Sequence, residues 1–582
     1  MAILRRYLRS GKTLACVLVG AGVLWSNMQV VPVNKASWMP WFGEPGPPTD
    51  REARHGQLPR NLTVHLVPHS HSDIGWNLSF EGYYRASVHH VLRRVSVELW
   101  GDAGRRFTWG DLAFLDLWLD DEGDAANGRL AGADAGLTWR QVVVELMRRG
   151  QWDVVGGTYV SPDEGLATWW AHNAIVDTGH RTLARQLNAT TRVGWQIDNF
   201  GHHTTTPHVL GNTGYAWLVL GRMAFRDLYD FASRASLQFV WRSQEHPQSP
   251  ALRTHFLAEH YGLPSAAFDF DRTASCDEQA LLKELLRIAR RHVGQFPPHG
   301  HVLVMMGDDF RFVRAAHAFG CLDRLVAASR HSAQWRDARL RYSTMTEYLS
   351  AVEPHVEPHT LREHGGDFYP YQDKPVEQYW AGILASRPYL KWLVRDTEQI
   401  VQHAEALVAA QRLRNSTNAW PVLERHLEFC RKQVAIGYHH DAITGTCSEP
   451  AFADYARRLR SAARVALRVS HAALHPVANP DQIIDFAYKG LDDSLAYNET
   501  QASLAYNETQ ASLAYNETQA SLAYNETQTP LAYNTATRDA ENSARDRLEV
   551  IKARCSDAAC AGAAIVVSNT LLEAQDVVVR LR

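Results

Sequence analysis

Apolar and polar positions follow two rhythms along this chain. Short, mostly apolar runs recur at residues 62–68, 107–109, 152–155, 193–197, 216–220, 237–241 and 301–306. Their length predicts strands. Between many of them apolar residues return at helical spacing, as at Val88, Val91, Leu92 and Val95 within a stretch spanning 82–100. Residues 277–296 form another such stretch. Strands alternating with helices predict a mostly parallel α/β sheet or barrel. Ligands then bind beyond the carboxyl ends of the strands.

After about Leu361 the rhythm is helical only. Residues 377–411, 419–440 and 449–475 predict three long helices and a small bundle. A polar repeat follows, Ser-Leu-Ala-Tyr-Asn-Glu-Thr-Gln with a period of nine, from Ser494 to about Asn534. Each unit offers only Leu, Ala and Tyr to a core, so a disordered insert is expected rather than a solenoid. Residues 563–582 read as two strands joined by a turn, the start of a truncated β domain. The expected organisation is a leader (1–33), a stem (34–60), an α/β domain (61–360), a helix bundle (361–477), the repeat insert (478–545) and the first strands of a β domain (546–582).

Composition narrows the class. The 582 residues are 45% hydrophobic and 21% charged, which is ordinary for a globular protein of two or more domains. A formal net charge of -3 gives no reason to expect nucleic acid as a partner. Arg5, Arg6, Arg9 and Lys12 precede an apolar stretch at 13–33, the mark of a signal peptide or a type II signal anchor, with possible membrane anchoring through those residues. Sequons at Asn61, Asn77, Asn188, Asn415, Asn498, Asn507, Asn516 and Asn525 fit a luminal chain. The seven cysteines show no C-x-x-C spacing, so no zinc ribbon or thioredoxin site is expected. The 18 Trp and 21 Tyr could stack on sugar rings, but core filling accounts for most of them.

Three segments carry imidazoles and carboxylates that could converge on one cation. They are His69-Ser70-His71-Ser72-Asp73, Gln196-Ile197-Asp198-Asn199-Phe200, and His439-His440-Asp441-Ala442-Ile443-Thr444-Gly445-Thr446. Two His and two Asp suit tetrahedral zinc. Gly307-Asp308-Asp309-Phe310 adds carboxylates with no obvious metal partner. A metal site with a spare acid points to hydrolysis. Each motif alone has a blander reading. His-x-Asp can be a capped strand end, Asp198 a turn cap, and His439-His440-Asp441 a helix end whose imidazoles complement the dipole. Together, and in this order, they are far more specific.

In that combination the chain resembles the family 38 glycoside hydrolases, the class II α-mannosidases. The resemblance spans most of residues 61–475 and, more weakly, 563–582. Its further carriers are His65-Leu66-Val67-Pro68 leading into the first motif, Ile74-Gly75-Trp76, Pro162-Asp163-Glu164, Gly366-Asp367-Phe368-Tyr369-Pro370-Tyr371 and Ser386-Arg387-Pro388. It implies a seven-stranded α/β barrel-like domain, a three-helix bundle and β domains beyond. It implies one zinc per chain, held by His71, Asp73, Asp198 and His440. Asp198 would also be the nucleophile and Asp309 the general acid/base. Trp76, Arg222, Tyr261, Trp380 and Asp441 would line the sugar pocket. The implied substrate is a mannose-containing oligosaccharide or N-glycan. Asn199 departs from the family, which usually has Pro after the nucleophile.

Subtype signals are mixed. Leu220-Gly221-Arg222 and Asp454-Tyr455-Ala456-Arg457 look more like the lysosomal branch, which is favoured, whereas Asp308-Asp309 and Ala442-Ile443-Thr444 look more like the Golgi membrane branch. Two other functions compete: a zinc-dependent carbohydrate deacetylase, and an inactive truncated mannose-binding remnant.

Overall fold

The computed structural model describes residues 61–474, apart from residues 131–133, 135, 244–247, 249, 375–376 and 415–419. It also describes an antiparallel pair of strands, Ala564–Val567 and Val577–Arg580. The basic leader, the stem and the nine-residue repeat lie outside the described residues.

The spine is β1 (Leu62–Ser70), in which only Thr63 escapes full burial. A strand buried on both faces needs partners along both edges and covering layers above and below. Its parallel neighbours are β2 (Phe107–Trp109), which pairs with His69 and Ser70, and β8 (His301–Met306), which pairs with Thr63 through Pro68. A further parallel strand, β9 (Ala338–Tyr342), pairs with Leu62 through Leu66 on the edge away from β8. Outside β2 lies β3 (Trp152–Val154).

A second sheet runs β10 (Arg362–His364), β6 (Gln238–Trp241), β7 (Leu252–Phe256), β5 (Trp217–Leu220) and β4 (Val193–Gln196). All its pairings are parallel except β6 with β7. One hydrogen bond, Gly156 N–H to Val193 C=O at 2.8 Å, stitches the end of β3 to β4. The scaffold is therefore mixed α/β and mainly parallel. Its strands divide into two five-stranded sheets, where the resemblance implied one seven-stranded barrel.

Each of the seven runs expected as strands is a strand. The other three, β7, β9 and β10, carry Arg253, Arg339, Arg341, Arg362 and Glu363 among their few residues. Those charges broke the apolar run on which the expectation rested. The expected helix at 82–100 is observed as a short helix at Phe80–Tyr83, a π-type turn at Tyr84–Val88 and a helix at His89–Gly101.

Three long helices, Pro388–Arg414, Trp420–Gly437 and Glu449–Leu474, share one apolar core. Leu390 and Val394 of the first, Leu427 and Val434 of the second, and Leu459 and Val465 of the third are all buried there. Burial of each such side chain contributes roughly 1.5–3 kcal/mol. The first helix starts at Pro388, well after the expected residue 377. Proline suits the first helical position and discourages helix in the residue before it. Residues 377–387 form a loop with a short turn at Ala381–Leu384. The second helix ends at Gly437, so His439 and His440 stand in the turns beyond it.

Trp109, Trp118, Trp139, Trp152 and Trp241 are buried in the cores, as the bland reading of the aromatics expected. Cys276, Cys321, Cys430 and Cys447 are free thiols. Among the described residues no helix is long and apolar enough to cross a membrane. Asn61, Asn77 and Asn188, three of the sequon asparagines, are exposed.

Candidate metal centre and its carboxylates

The parallel strands deliver their functional residues just past their carboxyl ends. β1 ends at Ser70, and the next residues carry His71 and Asp73. β4 ends at Gln196, two residues before Asp198. β8 ends at Met306, three residues before Asp309. The ladder between β1 and β8 is prolonged by an isolated bridge between His71 and Asp309. Backbone bonds from His71 N to Asp308 O (3.2 Å) and Phe310 N to His71 O (2.8 Å) fix that register. Phe310 takes φ 53° to turn the chain there, a left-handed conformation costing a non-glycine residue roughly 1–2 kcal/mol. Its ring stacks on Tyr83 at 4.2 Å between centroids.

His440 arrives from the bundle. Its backbone N–H bonds to Ser161 O at 3.2 Å, and Asp163 N–H bonds to Tyr438 O at 3.0 Å. A bridge between Pro162 and His439 continues this seam. Asn199, the departure from the family pattern, is buried and braces it. Its amide donates to Pro162 O while its carbonyl accepts from Ser161 Oγ. A proline at that position would lack both bonds.

The four expected ligands meet. One ligand atom from each of His71, Asp73, Asp198 and His440 lies within 4.8 Å of the other three, and all four residues are buried. His71 Nε2 is 2.9 Å from Asp73 Oδ1 and 3.7 Å from Asp198 Oδ2. His440 Nε2 is 3.3 Å from Asp73 Oδ1 and 3.4 Å from Asp198 Oδ2. That nitrogen has no aligned hydrogen-bond partner, as expected of a lone pair aimed at a cation. His440 Nδ1 is held 2.9 Å from Ser161 O.

The electrostatics call for positive charge. Burial alone would lower His71, but Asp73, Asp198 and Asp111 outweigh it and hold the imidazole well above its usual range. Burial likewise opposes His440, and Asp198 and Asp73 overcome it. Asp198 is driven the other way. Burial favours its neutral form, yet Arg222, His440 and His71 keep it ionised far below the carboxylate range. Two buried carboxylates thus recruit protons onto their neighbouring imidazoles. A divalent cation would supply the same charge and leave both imidazoles neutral. Two imidazole nitrogens and two carboxylates form a donor set suited to zinc.

Arg222, Tyr261, Trp380 and Asp441 stand around this cluster. Arg222 Nε donates to Asp198 Oδ1 at 2.6 Å. Its guanidinium lies 5.4–5.6 Å from the ring centres of Trp380, Phe200 and Tyr371, an aromatic box for a cation. Tyr261 OH donates to Asp309 Oδ1 at 2.9 Å, and its ring is 5.0 Å from that of His71. Asp441 is buried beside Asp73, His439 and His440, and accepts from the Thr446 hydroxyl. Trp76 is half-buried on the loop after β1, where its carbonyl accepts from Ser448 N at 2.7 Å.

The Asp309 carboxyl is pushed up to about 7 by burial and by the negative charges of Asp73 and Asp198. It therefore keeps its proton where an ordinary carboxylic acid has lost it. Next to an ionised Asp198 this separates two carboxyl groups into an acid and an anion.

Asp111 and Ser161 were missed at the level of sequence, and Phe200 and Tyr371 were quoted in motifs without a site role. A signal for Asp111 existed. It lies two residues past β2, the same relation to a strand end that singled out Asp73, Asp198 and Asp309.

Buried imidazoles and carboxylates from separate strand ends, met by a histidine from beyond the second long helix, form a cluster that could hold a metal ion. Residues 61–374 match the glycosyl hydrolases family 38 N-terminal domain, and residues 378–476 match the α-mannosidase middle domain. The chain belongs to glycosyl hydrolase family 38. It is 30% identical over 410 residues to α-mannosidase F of Dictyostelium discoideum, covering 69% of this chain and 39% of that protein. It is 29% identical over 487 residues to α-mannosidase 2x of Mus musculus, covering 75% and 40%. The chain thus spans about two fifths of the length of these relatives. Its fold is similar to that of an α-mannosidase from Enterococcus faecalis, with a TM-score of 0.56, 19% identity and coverage of 71% of this chain and 42% of that one.

Proposed function

We propose that this chain carries the site of a zinc-dependent, retaining, exo-acting α-mannosidase that removes terminal α-linked mannose from N-glycans or related oligosaccharides. The observation that carries the reading is the convergence of His71, Asp73, Asp198 and His440 within 4.8 Å, with the carboxyl of Asp309 beside them at the end of β8. A zinc ion held by these four residues would supply Lewis acidity toward the sugar. In the first half-reaction the ionised Asp198 attacks the anomeric carbon, and Asp309 gives its proton to the departing glycosidic oxygen. In the second, water adds to the anomeric carbon, Asp309 takes its proton, and Asp198 departs as the free carboxylate. Arg222 keeps Asp198 ionised, and Tyr261 orients Asp309 through its 2.9 Å hydrogen bond. Trp76, Trp380 and Asp441 complete the sugar pocket in this reading.

The reading assigns residues 61–360 to the α/β catalytic domain and residues 361–477 to a bundle that contributes one zinc ligand. The exposed sequons and the basic-apolar leader support a place in the secretory lumen, with the lysosome favoured over the Golgi membrane.

Incubation of the purified chain with a chromogenic α-mannoside, with and without a chelator, tests the proposal. Chelator-sensitive release of mannose with retained anomeric configuration is expected. Release of acetate from an acetylated sugar, or mannose binding without turnover, would replace it with the deacetylase or remnant reading.

A further inference from the structure

Metal-binding histidines need outer partners. An imidazole that gives Nε2 to a cation carries its proton on Nδ1, and that N–H requires an acceptor if it is buried. His440 satisfies this rule through Ser161 O, 2.9 Å from its Nδ1. His71 does not. Its Nδ1 is buried and has no hydrogen-bond partner. The carboxylate facing that nitrogen is Asp111, whose Oδ1 lies 3.9 Å away.

Asp111 is buried. It immediately precedes the helix Leu112–Asp121, yet its side chain forms no capping bond. Its Oδ2 accepts from Ser72 N at 2.8 Å, the backbone N–H between the two ligands His71 and Asp73. One oxygen therefore grips the ligand loop while the other faces the ring of its first ligand. Indole Nε1 of Trp109 bonds to Asp111 O at 3.0 Å and ties the residue to β2.

We propose that Asp111 is the positioning residue for the divalent cation at His71, accepting the Nδ1 proton and holding the ring in the tautomer whose Nε2 lone pair faces Asp73 and Asp198. This rests on the metal-site reading above. Closing the 3.9 Å gap to hydrogen-bond range requires a shift of about 1 Å. The anionic partner also makes the ring a stronger donor. The chain thus offers two unlike outer acceptors, a neutral carbonyl for His440 and a carboxylate for His71.

The test uses the full chain stripped of metal and titrated with zinc against a chromophoric chelator. Asp111→Asn keeps an acceptor for Ser72 N–H but turns an NH2 toward His71, and its zinc affinity is expected to fall roughly 10- to 100-fold. Asp111→Glu keeps the carboxylate and is expected to stay within a few-fold of the parent. Thermal unfolding of the metal-free proteins separates this from general damage. A purely structural role would lower the unfolding midpoint and weaken both variants alike. Equal zinc affinity in the parent and Asp111→Asn overturns this inference alone. A parent chain that takes up no zinc overturns both this inference and the metal-site reading.

Discussion

Acid should destabilise this chain through histidines remote from the metal cluster, and His255 is the cleanest case. It is wholly buried on β7. Its ring lies parallel to Phe296 at 5.0 Å and edge-on to Tyr348 at 5.3 Å. Its Nδ1 accepts from Gln238 Nε2 at 3.1 Å, and its Nε2 has no partner. Burial, then the neighbouring His299 and His292, lower its pKa from 6.5 to about 3. Between those values the unfolded chain binds a proton that the folded chain refuses. Stability from this group is complete above about pH 6.5 and is lost as the pH falls toward 3. Between about pH 7 and pH 5 the loss is about 1–2 kcal/mol. His65 and His299 are also held near 3 by burial and by neighbouring cations, so the whole chain should lose several kcal/mol. Urea unfolding followed by tryptophan fluorescence at both pH values measures this. His255→Gln should show a drop smaller than the parent's by about 1–2 kcal/mol. Equal drops in the two proteins would show that His255 does not couple folding to pH.

Other outcomes follow from the same geometry. Asp309→Asn should cost at least about 100-fold in α-mannoside turnover while leaving zinc uptake by metal analysis unchanged. Asp198→Ala should abolish turnover and also weaken zinc binding, because that carboxylate belongs to both functions. Lys391 donates to the carbonyls of Ser386, Ile443 and Thr444 at 2.5, 2.7 and 3.2 Å and so pins the turn after His440. Lys391→Met should strip this donor from the carbonyls of Ser386 and Ile443, while Thr444 O keeps the Ser386 hydroxyl, and destabilise the chain by about 1–3 kcal/mol, measured by denaturant titration. Gly75 has φ 143°, and a methyl there would meet Tyr455 Oη at 2.7 Å. Gly75→Ala should shift the loop carrying His71 and Asp73, read as weaker zinc uptake.

Much of the site was legible because its chemistry is written in short runs. His71 and Asp73 follow a strand so apolar that its end is unmistakable, and Asp198 and Asp309 repeat the pattern. His440 could be named only through the family resemblance. Its place depends on the seam from Ser161 to Asp163, a contact between residues nearly 280 positions apart. No local pattern encodes such a contact. The same holds for the box around Arg222, which draws Phe200, Tyr371 and Trp380 from separate segments. The division into two sheets was hidden because β7, β9 and β10 carry arginines and glutamate. Tertiary pairing, rather than side-chain pattern, makes them strands. Helix ends were misplaced where a proline or a tight turn overruled a favourable run, as at Pro388 and Gly437.

The proposed function rests on His71, Asp73, Asp198 and His440 binding one cation. Anomalous diffraction from zinc-loaded crystals, collected on both sides of the zinc absorption edge, locates it directly. A single strong peak is expected between the two Nε2 atoms and the two carboxylates, with His71 Nδ1 drawn toward Asp111. A peak elsewhere, or none in zinc-loaded crystals, would contradict that expectation.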